Sequence, residues 1–225
     1  MVSRKAEGTA RRGFPRWAIV TLIVVVVLAI VVGVSIWYQK NPSATVAAPS
    51  PSASIAPVGG DIPNGCLAGK DTSVTALIGA QKKAPHTEAG AVGLAAAFMR
   101  WGWQYPYPSL SDGQIVVESL ASTDAGPSFK DLSAKITAAK PKDGWASGGL
   151  SFAEGRYLVE DSTQDRVKVT VGGDQIKNGL RVPNTKSLTT VTLVWESEAW
   201  KVQEIKPVRT LEDLFTNGAA LAGGC

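Results

Sequence analysis

One uncharged run dominates the hydrophobic pattern near the start of the chain. Residues 17–38, WAIVTLIVVVVLAIVVGVSIWY, contain no charged side chain over 22 positions. A helix of this length spans about 33 Å, which is sufficient for the hydrocarbon core of a bilayer. Trp17 at one end and Trp37 and Tyr38 at the other match the aromatic belts of the two membrane interfaces. The pattern predicts a transmembrane helix.

A cleavable signal peptide is the alternative interpretation of this run. Its apolar region would cover only about 7–15 residues and would be followed closely by a small-residue cleavage site. Here WYQKNP comes at the end of the run. We therefore expect an uncleaved anchor and a chain located in a cell membrane.

The flanking charges predict the orientation of the anchor. Residues 1–16 carry five basic side chains and one acidic side chain. Cytoplasmic flanks of transmembrane helices are enriched in Lys and Arg, so this tail is predicted to be cytoplasmic and the rest of the chain extracytoplasmic. The remaining chain holds 18 basic and 18 acidic residues, so the net charge of +4 belongs to the tail. Nucleic-acid binding by the main domain would need a net basic surface and gains no support.

The pattern after the run predicts a tether and one folded domain. Residues 39–65 contain five Pro and many Ser and Ala, without apolar periodicity, which is typical of a flexible linker. Apolar periodicity returns afterwards, and we assign residues 66–225 to an extracytoplasmic domain.

Three helices are predicted in the first half of this domain. Residues 88–103 have Thr87 as the N-cap and apolar positions on two sides, which indicates a helix buried on more than one side. A second helix is expected over 111–121, capped by Ser111 or Asp112. A third is expected over 127–139.

Strand patterns replace helical ones after residue 148. Runs of alternating or β-branched residues predict four strands, at 150–160, 166–171, 187–195 and 199–205. Gly172-Gly173 suggests a bulge or bend, and Glu196-Ser197-Glu198 suggests a tight hairpin turn. Helices followed by antiparallel strands predict an α+β fold, with the helices packed on one face of a curved four-stranded antiparallel sheet.

The chain has two cysteines, Cys66 and Cys225. Outside the cytoplasm an even cysteine count favours a disulfide, which here would close a loop of about 160 residues. Two unrelated thiols, or lipidation of Cys66, are the alternatives. Lipidation requires a cysteine directly after a signal sequence, whereas Cys66 follows the apolar run by some 27 residues.

Motifs for catalysis, cofactors and metals are not found in the sequence. His86, the only histidine, has no second His or Cys at ligand spacing, and we expect it to be a solvated loop residue. No GxSxG, Ser-x-x-Lys or phosphate-binding glycine motif occurs. The acidic pairs Glu160-Asp161 and Glu196/Glu198 are expected to be solvated loop charges. We predict a non-enzymatic protein without cofactor or metal.

The densest aromatic stretch is AFMRWGWQYPYP, residues 97–108. Three interpretations remain: core residues at a helix end followed by a rigid loop, a partner or ligand surface formed by Trp103, Tyr105 and Tyr107, or membrane contact. Tyr and Trp dominate interface energetics, and the Tyr-Pro-Tyr-Pro run presents them at low entropic cost.

The order of elements, ending in TLVWESEAWKVQEIKP, resembles the cone-shaped nuclear transport factor 2-like (cystatin-like) fold over roughly residues 85–207. Together with the basic tail, single span and Pro/Ser/Ala tether, the chain is similar to bitopic assembly proteins of Gram-positive type IV secretion and conjugation systems. The resemblance implies an oligomerising scaffold that bridges other envelope proteins.

Two further functions remain open at this stage. One is a small-ligand-binding protein or enzyme that uses the cavity of a cone-shaped domain. In that case Phe98, Met99 and Trp101 should leave the cavity open. The other is an anchored accessory of a different envelope system, such as lipid transport.

Overall fold

A computed structural model describes residues 61–139 and 142–225 of the chain. The predicted cytoplasmic tail, the transmembrane segment at 17–38 and most of the linker lie outside these residues. Within the described ranges no helix combines the length and apolar character needed to cross a bilayer. The described residues form an α+β fold.

A five-stranded antiparallel sheet with the strand order β4-β3-β2-β1-β5 forms its centre. The strands are β1 (Gly148–Ser162), β2 (Arg166–Lys177), β3 (Leu180–Glu196), β4 (Ala199–Ile205) and β5 (Ala219–Ala220). The four predicted strands are present, but the expected number was wrong by one. β5 pairs with Arg156 and Tyr157 of β1. Two residues are too few to give an alternating hydrophobic pattern, so the sequence gives no strand signal there.

Two tight turns connect β2 to β3 and β3 to β4. Ser197 and Glu198 join β3 to β4 with φ values of +51° and +61°, which confirms the predicted hairpin and fits a type I′ turn. Asn178 and Gly179 join β2 to β3 in the same manner, with φ values of +50° and +79°. The strand predicted at 166–171 therefore continues to Lys177.

The bulge expected at Gly172-Gly173 lies mainly in the neighbouring strand. β1 and β2 lose register between the pairs Ser151–Asp174 and Arg156–Gly172, where β1 contributes the extra residues. A Cβ on Gly173 would lie 2.5 Å from the Ser151 carbonyl oxygen. Glycine is required there because the bulged β1 backbone approaches β2 closely.

Six helices complete the described fold. They are α1 (Val74–Lys83), α2 (Glu88–Gly102), α3 (Leu110–Leu120), α4 (Pro127–Lys130), α5 (Leu132–Thr137) and α6 (Leu211–Asn217). The Thr87 cap of α2 is confirmed, since its hydroxyl accepts a hydrogen bond from the Gly90 amide at 3.1 Å. Helix α3 is capped by Ser109 instead of Ser111 or Asp112, because Ser109 and Asp112 form a reciprocal capping box. The helix predicted at 127–139 divides at Asp131.

Helix α2 forms the centre of the hydrophobic core. Twelve of its 15 residues are buried, which confirms the prediction of a helix covered on more than one side. It packs against α1 and against β1, β2 and β3. The alternating residues Val167, Val169 and Val171 of β2 belong to the same core cluster and are fully buried. One face of the sheet therefore packs on α2.

Helix α6 covers part of the opposite face. Gly172 follows Val171 in β2, so its side-chain position lies on the other side of the sheet. A Cβ at Gly172 would lie 2.6 Å from Leu214 Cδ2 of α6. The expectation of helices on a single face was therefore wrong. The helix on the second face is α6, a short helix that was not predicted from the sequence.

A disulfide joins Cys66 and Cys225, as predicted, with their Cα atoms 5.4 Å apart. Residues close to both cysteines pair with one another. The Gly65 amide donates to the Ala222 carbonyl at 2.8 Å, and the Ala222 amide donates to the Pro63 carbonyl at 2.9 Å. Regular backbone pairing in the described domain thus begins a few residues before Cys66.

Replacing both cysteines by serine should lower the free energy of unfolding by up to about 5 kcal/mol, since the bridge closes a long loop. Urea denaturation of the full chain measures this loss. Wild-type protein in a strong reductant serves as the matched control and should unfold like the double variant. Equal stability of oxidised wild type and the variant would contradict the prediction.

Gly172→Ala should destabilise the domain by about 1–3 kcal/mol, because the added methyl meets Leu214 and the Ser187 carbonyl. Gly149→Ala in β1 is the control, since a Cβ there has no atom within 4 Å. Both variants remove a glycine from a strand, so a comparable loss of stability would show that packing of α6 is not the cause.

Candidate functional site

Trp103, Tyr105 and Tyr107 lie together where helix α2 ends. Trp103 is the C-cap of α2, and the residue is 37% exposed. The rings of Tyr105 and Tyr107 meet edge to face with their centroids 5.4 Å apart. Tyr105 is fixed by two backbone hydrogen bonds of 2.9 Å with Gly148, at the start of β1. The loop after α2 is therefore held against the end of the sheet.

Two residues from a distant part of the sequence join these aromatics. The Trp145 ring lies edge to face with Tyr105 at 6.3 Å. The Lys142 ammonium lies 4.2 Å from the centroid of Trp145, 5.6 Å from that of Trp103 and 5.9 Å from that of Tyr107. These distances are within the range of cation–π attraction. One ammonium is thus shared by three aromatic rings.

Lys177, at the end of β2, brings a second ammonium to the same place. Its Nζ lies 5.7 Å from the Trp145 centroid. We call the six residues the aromatic–lysine surface: Trp103, Tyr105, Tyr107, Lys142, Trp145 and Lys177. Within the described ranges neither lysine forms an ion pair with a carboxylate.

The electrostatics of Lys142 combine two opposed effects. Partial burial lowers the pKa of Lys142, because desolvation penalises the ammonium. The three rings act in the other direction, since their negative faces favour the cation. The Lys142 charge is therefore attracted by ring quadrupoles, and no carboxylate in the described part of the chain lies at ion-pair distance from it.

The loop that carries Trp145 is positioned by the Asn-Gly turn between β2 and β3. Asn178 Oδ1 accepts from the amides of Ala146 and Ser147 at 2.7 and 3.0 Å. Asn178 Nδ2 donates to the Gly144 carbonyl at 3.2 Å. A Cβ on Gly148 would lie 2.5 Å from the Trp145 ring, so glycine is required for the indole to lie there.

The aromatic stretch at 97–108 divides at Trp103, between a core half and a surface half. Phe98, Met99 and Trp101 are 5%, 2% and 1% exposed and belong to the central core cluster. Their side chains therefore fill space between α2 and its neighbours. A ligand cavity would require this space to be open. The Tyr105-to-Pro108 segment leaves the helix as a loop.

His86 lies in a loop, as expected, but its side chain is only 30% exposed and has two close contacts. Its ring stacks on Trp195 with centroids 4.1 Å apart and an interplanar angle of 8°. Its Nε2 lies 2.8 Å from Asp165 Oδ1. Asp165 is 79 positions away, so no sequence spacing could indicate this contact. The arrangement fastens the loop before α2 to the far end of the sheet.

Three carboxylates of the two acidic pairs have partners within the domain. Glu160, expected to be solvated, is only 10% exposed and receives Arg209 at 2.7 Å and the Thr170 hydroxyl at 2.6 Å. Asp161 pairs with Arg166 at 2.9 Å. Glu196 accepts from the Thr123 amide at 2.9 Å. Across the described ranges no group of three or more His, Cys, Asp or Glu side chains is placed to hold a metal ion.

Sequence reasoning identified three of the six residues of the aromatic–lysine surface. It missed Lys142, Trp145 and Lys177. Lys177 lies beside the β2–β3 turn, and Asn178 of that turn holds the loop that carries Trp145. The Asn178-Gly179 dipeptide is a strong hairpin signal and could have placed Lys177 at a strand end. Nothing local in KPKDGW indicates that Trp145 packs beside Tyr105.

Comparison with protein-family models, with curated proteins and with solved structures finds no match for this chain.

Asn178→Gly should loosen the Trp145 loop, because it removes three side-chain hydrogen bonds while keeping a residue suited to positive φ. We expect a loss of about 1–3 kcal/mol in local stability. Hydrogen exchange at Ala146 and Ser147, together with near-UV circular dichroism, measures it. Asn184→Gly is the control, since Asn184 also has positive φ, at +55°. Identical behaviour of the two variants would contradict the positioning role.

Proposed function

We propose that this chain is a single-pass membrane assembly protein whose extracytoplasmic domain binds other envelope proteins through the aromatic–lysine surface. The observation that carries this proposal is the position of Trp103, partly exposed beside Tyr107 and Lys142. Trp and Tyr are the residues that most often dominate interface energetics. A rigid loop presents them here at little cost in conformational entropy.

Membrane attachment is the second part of the proposal. It is supported by the uncharged run at 17–38 and by the basic residues that precede it. The proposed orientation has the tail in the cytoplasm and the main domain outside. A flexible linker would then let the domain reach partners away from the bilayer surface.

The proposed setting is a bacterial type IV secretion or conjugation apparatus, in which the chain serves as a scaffold. The order of α2 to α5 followed by four antiparallel strands supports the resemblance to the nuclear transport factor 2-like fold. Fold likeness by itself does not define a function, so the proposal depends on the surface. Partners would be other envelope proteins or further copies of the chain, and neither a cofactor nor a nucleic acid is part of the proposal.

Catalysis or ligand binding inside the domain is the competing function. It would need an open cavity with an ionisable group. The burial of Phe98, Met99 and Trp101 in the core gives it no support.

A photo-cross-linking amino acid at Trp103 of the full chain, in its native membrane, should capture a specific protein partner. The same probe at Leu211 is the matched control, since Leu211 is 40% exposed and lies at the start of α6 on the other face of the sheet. Products found at Trp103 alone support the proposal. Products that are absent at Trp103, or the same at both positions, would sink it.

A further inference from the structure

The aromatic–lysine surface brings two ammonium groups together, which indicates the chemistry of a partner. Lys142 and Lys177 place two ammonium groups 4.2 and 5.7 Å from the same indole centroid, that of Trp145. Two basic side chains elsewhere in the described ranges show what a direct acidic partner looks like. Lys186 is 2.8 Å from Asp174, and Arg209 is 2.7 Å from Glu160. Among the described residues neither surface lysine has a carboxylate at ion-pair distance, so the site presents two ammonium groups without a direct acidic partner.

We infer that this surface docks an acidic segment of a partner protein, with carboxylates on Lys142 and Lys177 and apolar side chains across the neighbouring indoles. The inference rests on the proposed function and specifies the partner of the same surface. Ammonium groups beside aromatic rings provide one site for a carboxylate and an adjacent site for an apolar group. Electrostatic complementarity of this kind gives specificity and faster association.

A cationic ligand fits the same rings less well. Aromatic faces attract quaternary ammonium groups in many binding sites. Here the ring faces of Trp145, Trp103 and Tyr107 already surround the Lys142 ammonium, and Lys177 adds a second positive charge. An incoming cation would meet repulsion from both, whereas an anion would be attracted by both.

Apolar contact area lies next to the charges. Trp103 is partly exposed at one side, and Leu180, 74% exposed, pairs with Lys177 across the β2–β3 turn. A partner with alternating acidic and apolar residues could therefore use both kinds of contact. Burial lowers the pKa of Lys142, and a bound carboxylate would restore the preference for its charged form.

The test measures binding of three fluorescein-labelled peptides to the full chain in detergent micelles. One peptide contains Glu, Leu and Ser, and the other two replace each Glu by Gln or by Lys. We expect the Glu peptide to bind best and to weaken as salt is added, because salt screens exposed charges. Lys142→Gln and Lys177→Gln should each weaken it about threefold to tenfold.

Two control variants distinguish an effect of the lysine charge on peptide binding from an effect of the substitution on folding. Lys83→Gln removes an exposed lysine at the end of α1, near the opposite end of the sheet, and should leave affinity unchanged. Lys142→Arg keeps the cation and should retain most of the binding. Equal affinity of the Glu and Gln peptides, preference for the Lys peptide, or unchanged binding by both Lys→Gln variants would overturn the inference.

Failure of the inference about an acidic segment can be distinguished from failure of the proposed protein-binding function. Mass spectrometry of the protein captured at Trp103 identifies the segment that lies on the surface. An acidic segment agrees with the inference. A captured segment without acidic residues overturns it, while protein docking at this surface still stands.

Discussion

The close packing of helix α2 is the constraint on which the rest of the described domain depends. Its run of Ala and Gly allows neighbouring chain to approach its backbone. A Cβ at Gly93 would lie 3.2 Å from the Asn64 carbonyl oxygen, and one at Gly90 would collide with Pro85. Buried Arg100 donates to the Gly69 carbonyl at 2.6 Å, and burial lowers the pKa of this guanidinium. One helix thus fixes the turn beside the disulfide and, at its C-terminal end, places Trp103.

The outermost of the four long strands, β1 and β4, are each paired in part with additional chain. β5 pairs with the middle of β1, and Tyr105 pairs with Gly148 at the start of β1. On the other side, the Ser122 amide donates to the Val202 carbonyl of β4 at 3.0 Å. Covered edges are a common way to prevent uncontrolled strand pairing. These contacts leave less strand backbone free to pair with another chain.

Local signals in the sequence could predict the parts of the fold that depend on local physics. A capping residue with a long apolar run identifies α2, and alternating β-branched residues identify the main strands. Helix α6 is only seven residues long, and its stability depends on contact with the sheet at Gly172, so no local pattern was strong enough to reveal it.

In the candidate site, too, the residues that are close in sequence could be predicted and the residues that come from distant segments could not. Trp103, Tyr105 and Tyr107 are close in sequence and could be identified together. Lys142 and Trp145 reach them only because Asn178 holds the loop over residues 144–147. Such contacts join distant segments, and their geometry is decided by strand register and turn type, which the local pattern between residues 172 and 186 does not predict.

The disulfide makes residues 66–225 a covalent ring, with mechanical consequences. A pull on the chain from the N-terminal side reaches Cys66 and divides there between the backbone of Leu67 and the sulfur of Cys225. Both paths lead into the same folded unit, so β5 stays covalently tied to Cys66 even where its hydrogen bonds to β1 break. Under tension, the bridge would keep the segment between Cys66 and Cys225 from being pulled out to its full length.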